Sequence, residues 1–254
     1  MEPAFVALGL LVGTLVGMTG VGAGSLVTPA LTLSGMPAAV AVGTDLAYAA
    51  ASKTVGALVH RAQRSLDLRL AGLLALGSVP AAAITLGFLA ASAARSSLIN
   101  TALAIALLLT AAVLLIGRAP FQAFALRYER RLAPFRLPLT VGSGALLGVL
   151  VSLSSIGAGA LGAVLLVALH PNISALKIAG TDIAHAVPLT LVAGLGHLWL
   201  GNVDFGLAAN LLAGSVPGIV AGSLLAGRLP DAVVRHVLAF VLLYAGARLA
   251  TASL

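Results

Sequence analysis

Residues 97–117 of the chain read SLINTALAIALLLTAAVLLIG and contain no charged side chain. A helix needs about 20 apolar residues to cross the hydrocarbon core of a bilayer. The rest of the chain has the same character, because 60% of its 254 residues are hydrophobic and 8% are charged. A soluble domain carries about 25% charged residues. The sequence therefore predicts a membrane protein and excludes a soluble enzyme, a nucleic-acid binder, a disordered chain and a disulfide-rich secreted scaffold.

Apolar segments follow one another along the whole chain, separated by polar residues or by clusters of glycine and proline. Two of them, 24–35 and 159–169, are too short to cross a bilayer comfortably, and each follows a glycine-rich stretch. Short, glycine-interrupted segments of this kind are typical of broken or re-entrant helices. The other segments are expected near 3–19, 38–60, 69–92 and 97–117 in the first half, and near 138–154, 174–199, 204–226 and 231–250 in the second.

Basic residues are concentrated in two connecting segments. Segment 118–136 holds five arginines and one acid, and the segment 61–69 holds three arginines. Cytoplasmic loops carry an excess of Lys and Arg, so both segments are expected on the cytoplasmic side. An odd number of crossings in each half satisfies this rule and leaves few basic residues outside.

The first residues of the chain also indicate in which cellular membrane the protein is expected. It carries an acid, Glu2, where a cleavable signal peptide would have basic residues. We therefore expect a retained membrane segment, and with no transit peptide we expect a multi-pass protein of a prokaryotic plasma membrane.

The two halves of the sequence match each other at an offset of 137 residues. Gly43-Thr44-Asp45 aligns with Gly180-Thr181-Asp182, and the polar residues His60 and Asp67 have partners at the same offset, His197 and Asp204. With an odd number of crossings per half, such repeats are related by an axis in the membrane plane. The predicted fold is an all-α polytopic membrane protein with two inverted-topology repeats of about five helical segments each. They span residues 1–117 and 138–254, joined by a basic cytoplasmic linker, 118–137.

Several motifs resemble one known family. The glycine-rich opening from Gly13 to Gly24, Pro29, the Gly43-Thr44 pair and the duplicated polar turn are similar to the sulfite exporter TauE/SafE family. The resemblance covers nearly the whole chain. It implies a multispan carrier of small anions, such as sulfur oxyanions, sulfonates or organic acids. Members usually carry a small hydroxyl residue after the Gly-Thr pair, whereas this chain has aspartates there.

The glycine-rich stretches are the first candidate for substrate binding. A helix N-terminus offers unpaired backbone N–H groups and a partial positive charge, which suit an anion. The alternative is close helix packing, for which small residues are also used. The predicted substrate-binding residues are Thr19, Gly20, Gly22, Gly24, Ser25, Thr44, Lys53, Ser154, Ser155, Gly157, Gly159 and Thr181.

Three ionisable residues within apolar segments form a second group. Asp45, Asp182 and His185 are candidates for proton coupling, because charges inside a membrane are costly and usually functional. The alternative for the aspartates is a helix N-cap or a structural pair. Lys53 lies eight residues after Asp45 and can neutralise it or bind an anion, while Thr190 occupies its repeat position.

The hypothesis is a secondary transporter that carries a small anion by alternating access, with proton coupling through Asp45 or Asp182. The alternatives are a cation or metal carrier using Asp45, Asp182 and His185, or an intramembrane enzyme or assembly subunit. The chain has no cysteine and no phosphate-binding loop, so we expect no enzyme activity, no cofactor and no resident metal. The expected partners are the anion and the lipid bilayer, with no nucleic acid. The repeated aspartates Asp67 and Asp204 are expected to be structural N-caps.

Overall fold

The structure is a computed structural model that describes residues 2–19, 24–93, 95–225 and 231–252. Every secondary-structure element of the described part is a helix. The first half contains α1 (Pro3–Thr19), α2 (Gly24–Leu33), α3 (Ala38–Ala62), α4 (Leu68–Ala91) and α5 (Arg95–Ile116). The connecting region contains α6 (Ala119–Arg127), α7 (Glu129–Leu132) and a 3₁₀ turn (Ala133–Phe135). The second half contains α8 (Arg136–Ser154), α9 (Ala160–Leu169), α10 (Ala175–Trp199), α11 (Phe205–Leu225) and α12 (Asp231–Ala252).

The predicted all-α polytopic fold is confirmed. Among the described residues, five helices are long and apolar enough to cross a membrane: Leu68–Ala91, Arg95–Ile116, Glu129–Ser154, Ala175–Trp199 and Phe205–Gly222. Large apolar side chains point outward on these helices, including Ile84, Leu76 and Phe88 on α4. Such exposure suits a surface that faces lipid.

The region 118–136 differs from the loop that the sequence predicts. Helix α6 begins after Arg118 with Pro120 in its first turn, where the missing N–H of proline is harmless. Ala125 of α6 is buried, and α6 packs against α9. The apolar face of this short helix therefore holds the linker on the body of the protein.

Helices α1 and α11 form the most extensive contact in the fold, and they run parallel. Gly9 faces the backbone of Leu211, and Gly13, one turn further, faces the backbone of Ser215. A Cβ atom at either glycine would overlap that backbone. The absence of side chains here lets the two helix axes approach closely.

Helices α4 and α8 form a matching parallel contact. Gly144 faces the backbone of Leu74, and Gly148 faces the backbone of Ser78, again with no room for a Cβ. In each pair, one helix comes from the first half of the chain and the other from the second. The two halves are therefore interlocked rather than side by side.

The central helices α3 and α10 pack against each other in the antiparallel direction. Gly194 of α10 lies beside Leu46 of α3, and Ile183 of α10 lies beside Gly56 of α3. Because α10 begins where α3 ends, their middle turns cross at the centre of the molecule. The short helices α2 and α9 pack on α3 and α10, respectively, and this arrangement positions the site.

Candidate functional site

Two hydrogen bonds at the ends of α3 and α10 join the two halves. Thr44 Oγ1 accepts the backbone N–H of Asp204 at 3.0 Å, and Thr181 Oγ1 accepts the backbone N–H of Asp67 at 3.0 Å. Both threonines were predicted to bind substrate. Their hydroxyl groups instead accept bonds from the chain itself in this structure, so substrate contact by Thr44 and Thr181 stays a prediction.

The expected N-cap role of the two repeated aspartates is confirmed. Asp67 Oδ1 accepts the N–H of Leu70 at 3.1 Å, and Asp204 Oδ1 accepts the N–H of Leu207 at 2.9 Å. Each bond satisfies one of the free N–H groups in the first turn of a helix.

Asp67 has an additional partner at the same end of the molecule. Lys177 Nζ lies 3.4 Å from Asp67 Oδ2. Partial burial acts to raise the pKa of Asp67, but the Leu70 N–H and the Lys177 ammonium outweigh it and hold the pKa below the usual value of an aspartate. Asp67 is therefore ionised at neutral pH.

Asp45 lies in the interior of α3 and is fully buried. Thr28 Oγ1 of α2 donates a hydrogen bond to Asp45 Oδ2 at 2.5 Å, and Ser155 and Lys53 are its other polar neighbours. Asp45 Oδ1 has no hydrogen-bond partner among the described residues. The position inside the helix rules out the alternative that Asp45 is an N-cap.

Asp182 lies in the interior of α10 and is also buried. Its polar neighbours include Lys53 and the backbone of Gly159, next to the first turn of α9. Gly162 of α9 leaves the space that the carboxylate occupies, because a Cβ there would overlap Asp182 Oδ1. That oxygen has no hydrogen-bond partner in the described part of the chain.

Lys53 connects the two acidic positions. It extends from the middle of α3, and its Nζ donates to the carbonyl oxygen of Ala158 at 3.3 Å. Both Asp45 and Asp182 are close enough to interact electrostatically with the ammonium group. Lys53 is partly exposed, whereas the two aspartates are buried. One ammonium group thus interacts electrostatically with two carboxylates that belong to different halves of the chain, without forming an ion pair with either in this conformation.

The segment 155–159 brings α9 to these charges. Ser155 has φ +59°, and Gly157 and Gly159 have φ +137° and +129°. Such positive φ values suit glycine and turn the chain sharply between α8 and α9. Ser154 Oγ supports the turn, since it accepts the N–H of Ile156 at 3.1 Å, whereas the buried Ser155 Oγ has no partner among the described residues.

His185 is buried one turn after Asp182. Its Nε2 lies 2.9 Å from Ser78 Oγ, and its Nδ1 has no partner within the described residues. At the matching position of the first half, the hydroxyl of Tyr48 is likewise buried and without a partner there. Proton transfer by His185 stays a prediction, and the bond to Ser78 links α10 to α4.

Only some of the predicted residues in the first glycine-rich stretch lie within the described part of the chain. Gly20 and Gly22 lie outside the described residues, as do the side chains of Thr19 and Ser25. The backbone shows α1 ending at Thr19 and α2 beginning at Gly24. A site role for these five residues stays a prediction.

The alternative of a cation or metal site finds no support in the geometry. Among the described residues, no group of three or more His, Asp or Glu side chains is close enough to hold a metal ion. Asp45, Asp182 and His185 therefore do not form a common ligand set in this conformation.

Sequence reasoning did not identify Thr28, Ser78, Gly162 or the Ala158 carbonyl as parts of the site. The sequence could have indicated Thr28 as a site residue, because it lies one turn into the short segment that follows the glycines. No feature of the sequence indicates a site role for Gly162, since a glycine in an apolar helix usually indicates packing.

Comparison with known proteins identifies the family of the chain. The family model described as "Sulfite exporter TauE/SafE" matches residues 5–249. The chain is 37% identical over 262 residues to the "Probable membrane transporter protein YjnA" of Bacillus subtilis (strain 168), an alignment that covers 98% of this chain and 100% of the relative. No solved structure matches the chain significantly.

The family match extends over both halves, and the relative aligns along its whole length. Together with the apolar helices that face lipid, these matches define a multi-pass protein of the plasma membrane and exclude the enzyme alternative. The chain belongs to the sulfite exporter TauE/SafE family and is a membrane transporter.

Proposed function

We propose that the protein is a secondary transporter of a small anion, such as sulfite, a sulfonate or a related organic or sulfur oxyanion, and that it works by alternating access. Lys53 binds the anion, assisted by the backbone and hydroxyl groups of segment 154–159. Asp45 and Asp182 carry the coupling proton. The family resemblance supports the anion class, and the contacts of Lys53 support the position of the site.

The observation that carries the proposal is the location of Lys53. Its ammonium group bonds to the Ala158 carbonyl in the turn that leads into α9, and it interacts electrostatically with both Asp45 and Asp182. An ionised lysine inside a membrane protein is costly and is usually retained for function. The carbonyl of Ala158 is a weak partner that an anion can displace, which makes the ammonium available to a substrate.

The number of charges supports proton coupling. Two carboxylates and one ammonium leave an excess of one negative charge, and one oxygen of each carboxylate has no hydrogen-bond partner among the described residues. An unpaired buried charge is unfavourable. A proton on either carboxyl group makes the net charge of Asp45, Asp182 and Lys53 zero, and this allows an anion to approach Lys53.

The proposed mechanism also needs two structurally related halves. The paired bonds Thr44–Asp204 and Thr181–Asp67 and the antiparallel contact of α3 with α10 support inverted repeats over 1–117 and 138–254. Rocking of such repeats around a fixed central site is the usual basis of alternating access. The site residues of this proposal belong to both halves, as that mechanism requires.

The test is flux in proteoliposomes with sulfite, sulfate, a sulfonate, a carboxylate and divalent cations, each with and without a pH gradient. We expect saturable flux of at least one anion, accelerated by the gradient. Flux of cations alone would contradict the anion proposal and would favour the cation carrier.

The first variant for this assay is Lys53→Gln. It removes the ammonium group that would bind the anion, so we expect the KM for the anion to rise at least about tenfold, the range of a lost charged hydrogen bond. Lys177→Gln is the matched control, because it removes the chain's other lysine from an exposed ion pair, which contributes little. An unchanged KM in Lys53→Gln would remove direct anion contact from the proposal.

The second variant, Asp45→Asn, tests proton coupling. The amide oxygen still accepts the hydrogen bond from Thr28, so we expect the protein to fold and to lose most of the acceleration by the pH gradient. Asp204→Asn is the control, since asparagine is an equally good N-cap. If Asp45→Asn and Asp182→Asn both keep the full response to the gradient, the carboxylates do not carry the proton.

A further inference from the structure

The linker helices carry an excess of positive charge that the transport site does not use. Arg127, Arg130 and Arg131 are exposed, and no carboxylate of the described residues forms an ion pair with them. The acid between them, Glu129, is occupied by Arg136 at 3.0 Å and by Asn172 Nδ2 at 2.9 Å. The three arginines therefore present a net positive surface.

These arginines surround a concave surface, which we call the arginine basin. It has a volume of about 550 Å³ and is lined by Leu126, Arg127, Tyr128, Glu129, Arg130 and Arg131. A basin of this size accepts a phosphate-containing headgroup. Its arginines supply the planar N–H donors that bind phosphate in pairs.

An apolar surface adjoins the basin. Phe124 and Phe135 are exposed, and the ring of Phe124 packs against Tyr128 with centroids 4.8 Å apart. Arg127 lies over the same Tyr128 ring, at 5.9 Å from its centroid. Basic and aromatic side chains side by side are typical of the membrane–water interface.

The position of the basin agrees with such an interface. The linker follows the candidate span Arg95–Ile116, and its last residues form the N-terminal end of the next candidate span, Glu129–Ser154. It also contacts the turn before α10, through Gln122 Nε2 and the carbonyl of Pro171 at 3.1 Å. The basin therefore lies where the spans leave the membrane, at the end of the molecule that also carries Arg61 and Arg69.

We propose that the arginine basin binds the headgroup of an anionic phospholipid of the cytoplasmic leaflet, with Phe124 and Phe135 inserted beside its acyl chains. The occupant is a lipid rather than a soluble anion, because the exposed phenylalanines adjoin the charges and would face water otherwise. Binding there is independent of the proposed anion transport.

The test is native mass spectrometry of the purified protein with phosphatidylglycerol, phosphatidylcholine or inorganic phosphate. We expect tight binding of phosphatidylglycerol alone. The double variant Arg130→Gln/Arg131→Gln should weaken it at least about tenfold, because each arginine near an anionic membrane surface contributes several-fold in affinity. The matched control is Arg61→Gln/Arg69→Gln, which removes equal charge from exposed positions of the same face outside the basin.

Three outcomes would overturn the proposal. Equal weakening by the two double variants would show attraction to net charge rather than a site. Equal binding of phosphatidylcholine would remove the charge recognition. Competition by inorganic phosphate at the same concentration would identify a soluble anion as the occupant. Melting temperatures of the variants with added phosphatidylglycerol provide a second readout, and we expect the lipid to stabilise the control but not the basin variant.

Discussion

Lys53 differs from the other site residues because the repeat does not duplicate it. Asp45 and Asp182 are repeat partners, whereas Thr190 stands where a second lysine would be, and its hydroxyl bonds to the carbonyl of Ala186 in its own helix at 2.8 Å. A second ammonium group would change the net charge of Asp45, Asp182 and Lys53 by one unit. The single lysine therefore makes the proposed site electrically asymmetric within the proposed pair of repeats.

Gly162 permits the approach of α9 to Asp182. In Gly162→Ala, the added Cβ would displace the Asp182 carboxylate, so we expect the transport rate to fall about a hundredfold, the cost of a functional group misplaced by about 1 Å. Alanine favours the helix over glycine, and folding should be preserved. The measurement is flux in proteoliposomes together with the melting temperature.

Gly142→Ala is the control for this substitution, because nothing lies within 4 Å of a Cβ at Gly142. We expect full transport in the control. A Gly162→Ala protein that transports at the wild-type rate would show that the position of Asp182 is not critical.

At the scale of elements, the short helices α2 and α9 are the distinctive feature. Each contains 10 residues, which is about half the length needed to cross a bilayer. Each brings backbone or hydroxyl groups to a buried carboxylate: Thr28 of α2 to Asp45, and Gly159 before α9 to Asp182. Their shortness allows polar groups to reach the interior without exposing a broken backbone to lipid.

The crossed threonine bonds provide a test at the same scale. Thr44→Val and Thr181→Val keep the shape of the side chain but leave the N–H of Asp204 or Asp67 without its acceptor. An unsatisfied donor costs about 1–3 kcal/mol, so we expect each variant to lower the melting temperature by several degrees. Similar effects of the two variants are expected, because both bonds measure 3.0 Å.

The control is Thr54→Val, whose exposed hydroxyl bonds only to Ala50 of its own helix. Its melting temperature should stay near that of the wild type. Wild-type stability in both Thr44→Val and Thr181→Val would mean that water replaces the lost acceptors and that these bonds do not hold the halves together.

At the scale of the whole molecule, the chain is interlocked. The first helix of each half packs in parallel with the fourth helix of the other, as α1 with α11 and α8 with α4. A movement of one half must therefore move helices of the other.

The expected topology can be tested because the chain has no native cysteine. Gln63→Cys follows α3 and Ala93→Cys follows α4, so the two exposed positions should lie on opposite sides of the membrane. We expect a membrane-impermeant thiol reagent to label Ala93→Cys in intact cells and to label Gln63→Cys only after the membrane is opened. Labelling of both positions from outside would contradict the cytoplasmic assignment of the basic segments.

Much of the architecture could be predicted because membrane helices have a strong local signal. The short segments at 24–35 and 159–169 correspond to α2 and α9, and the N-caps Asp67 and Asp204 lie where the pattern indicated. The sequence did not predict the linker helices, because their helical form depends on tertiary contacts. Ala125 is buried, and α6 packs against α9.

The sequence alone determined that this protein is a helical membrane protein, and it identified Asp45, Lys53 and Asp182 as charges that lipid would not tolerate. Hydrophobic length and charge are local properties, so they can be read residue by residue. Only the tertiary structure decided that Lys53 comes within electrostatic range of both aspartates, that Thr44 and Thr181 bond across the halves, and that Gly162 makes room for a carboxylate. These relations join residues more than 100 positions apart in most cases, and they depend on the close glycine contacts that set how the helices pack.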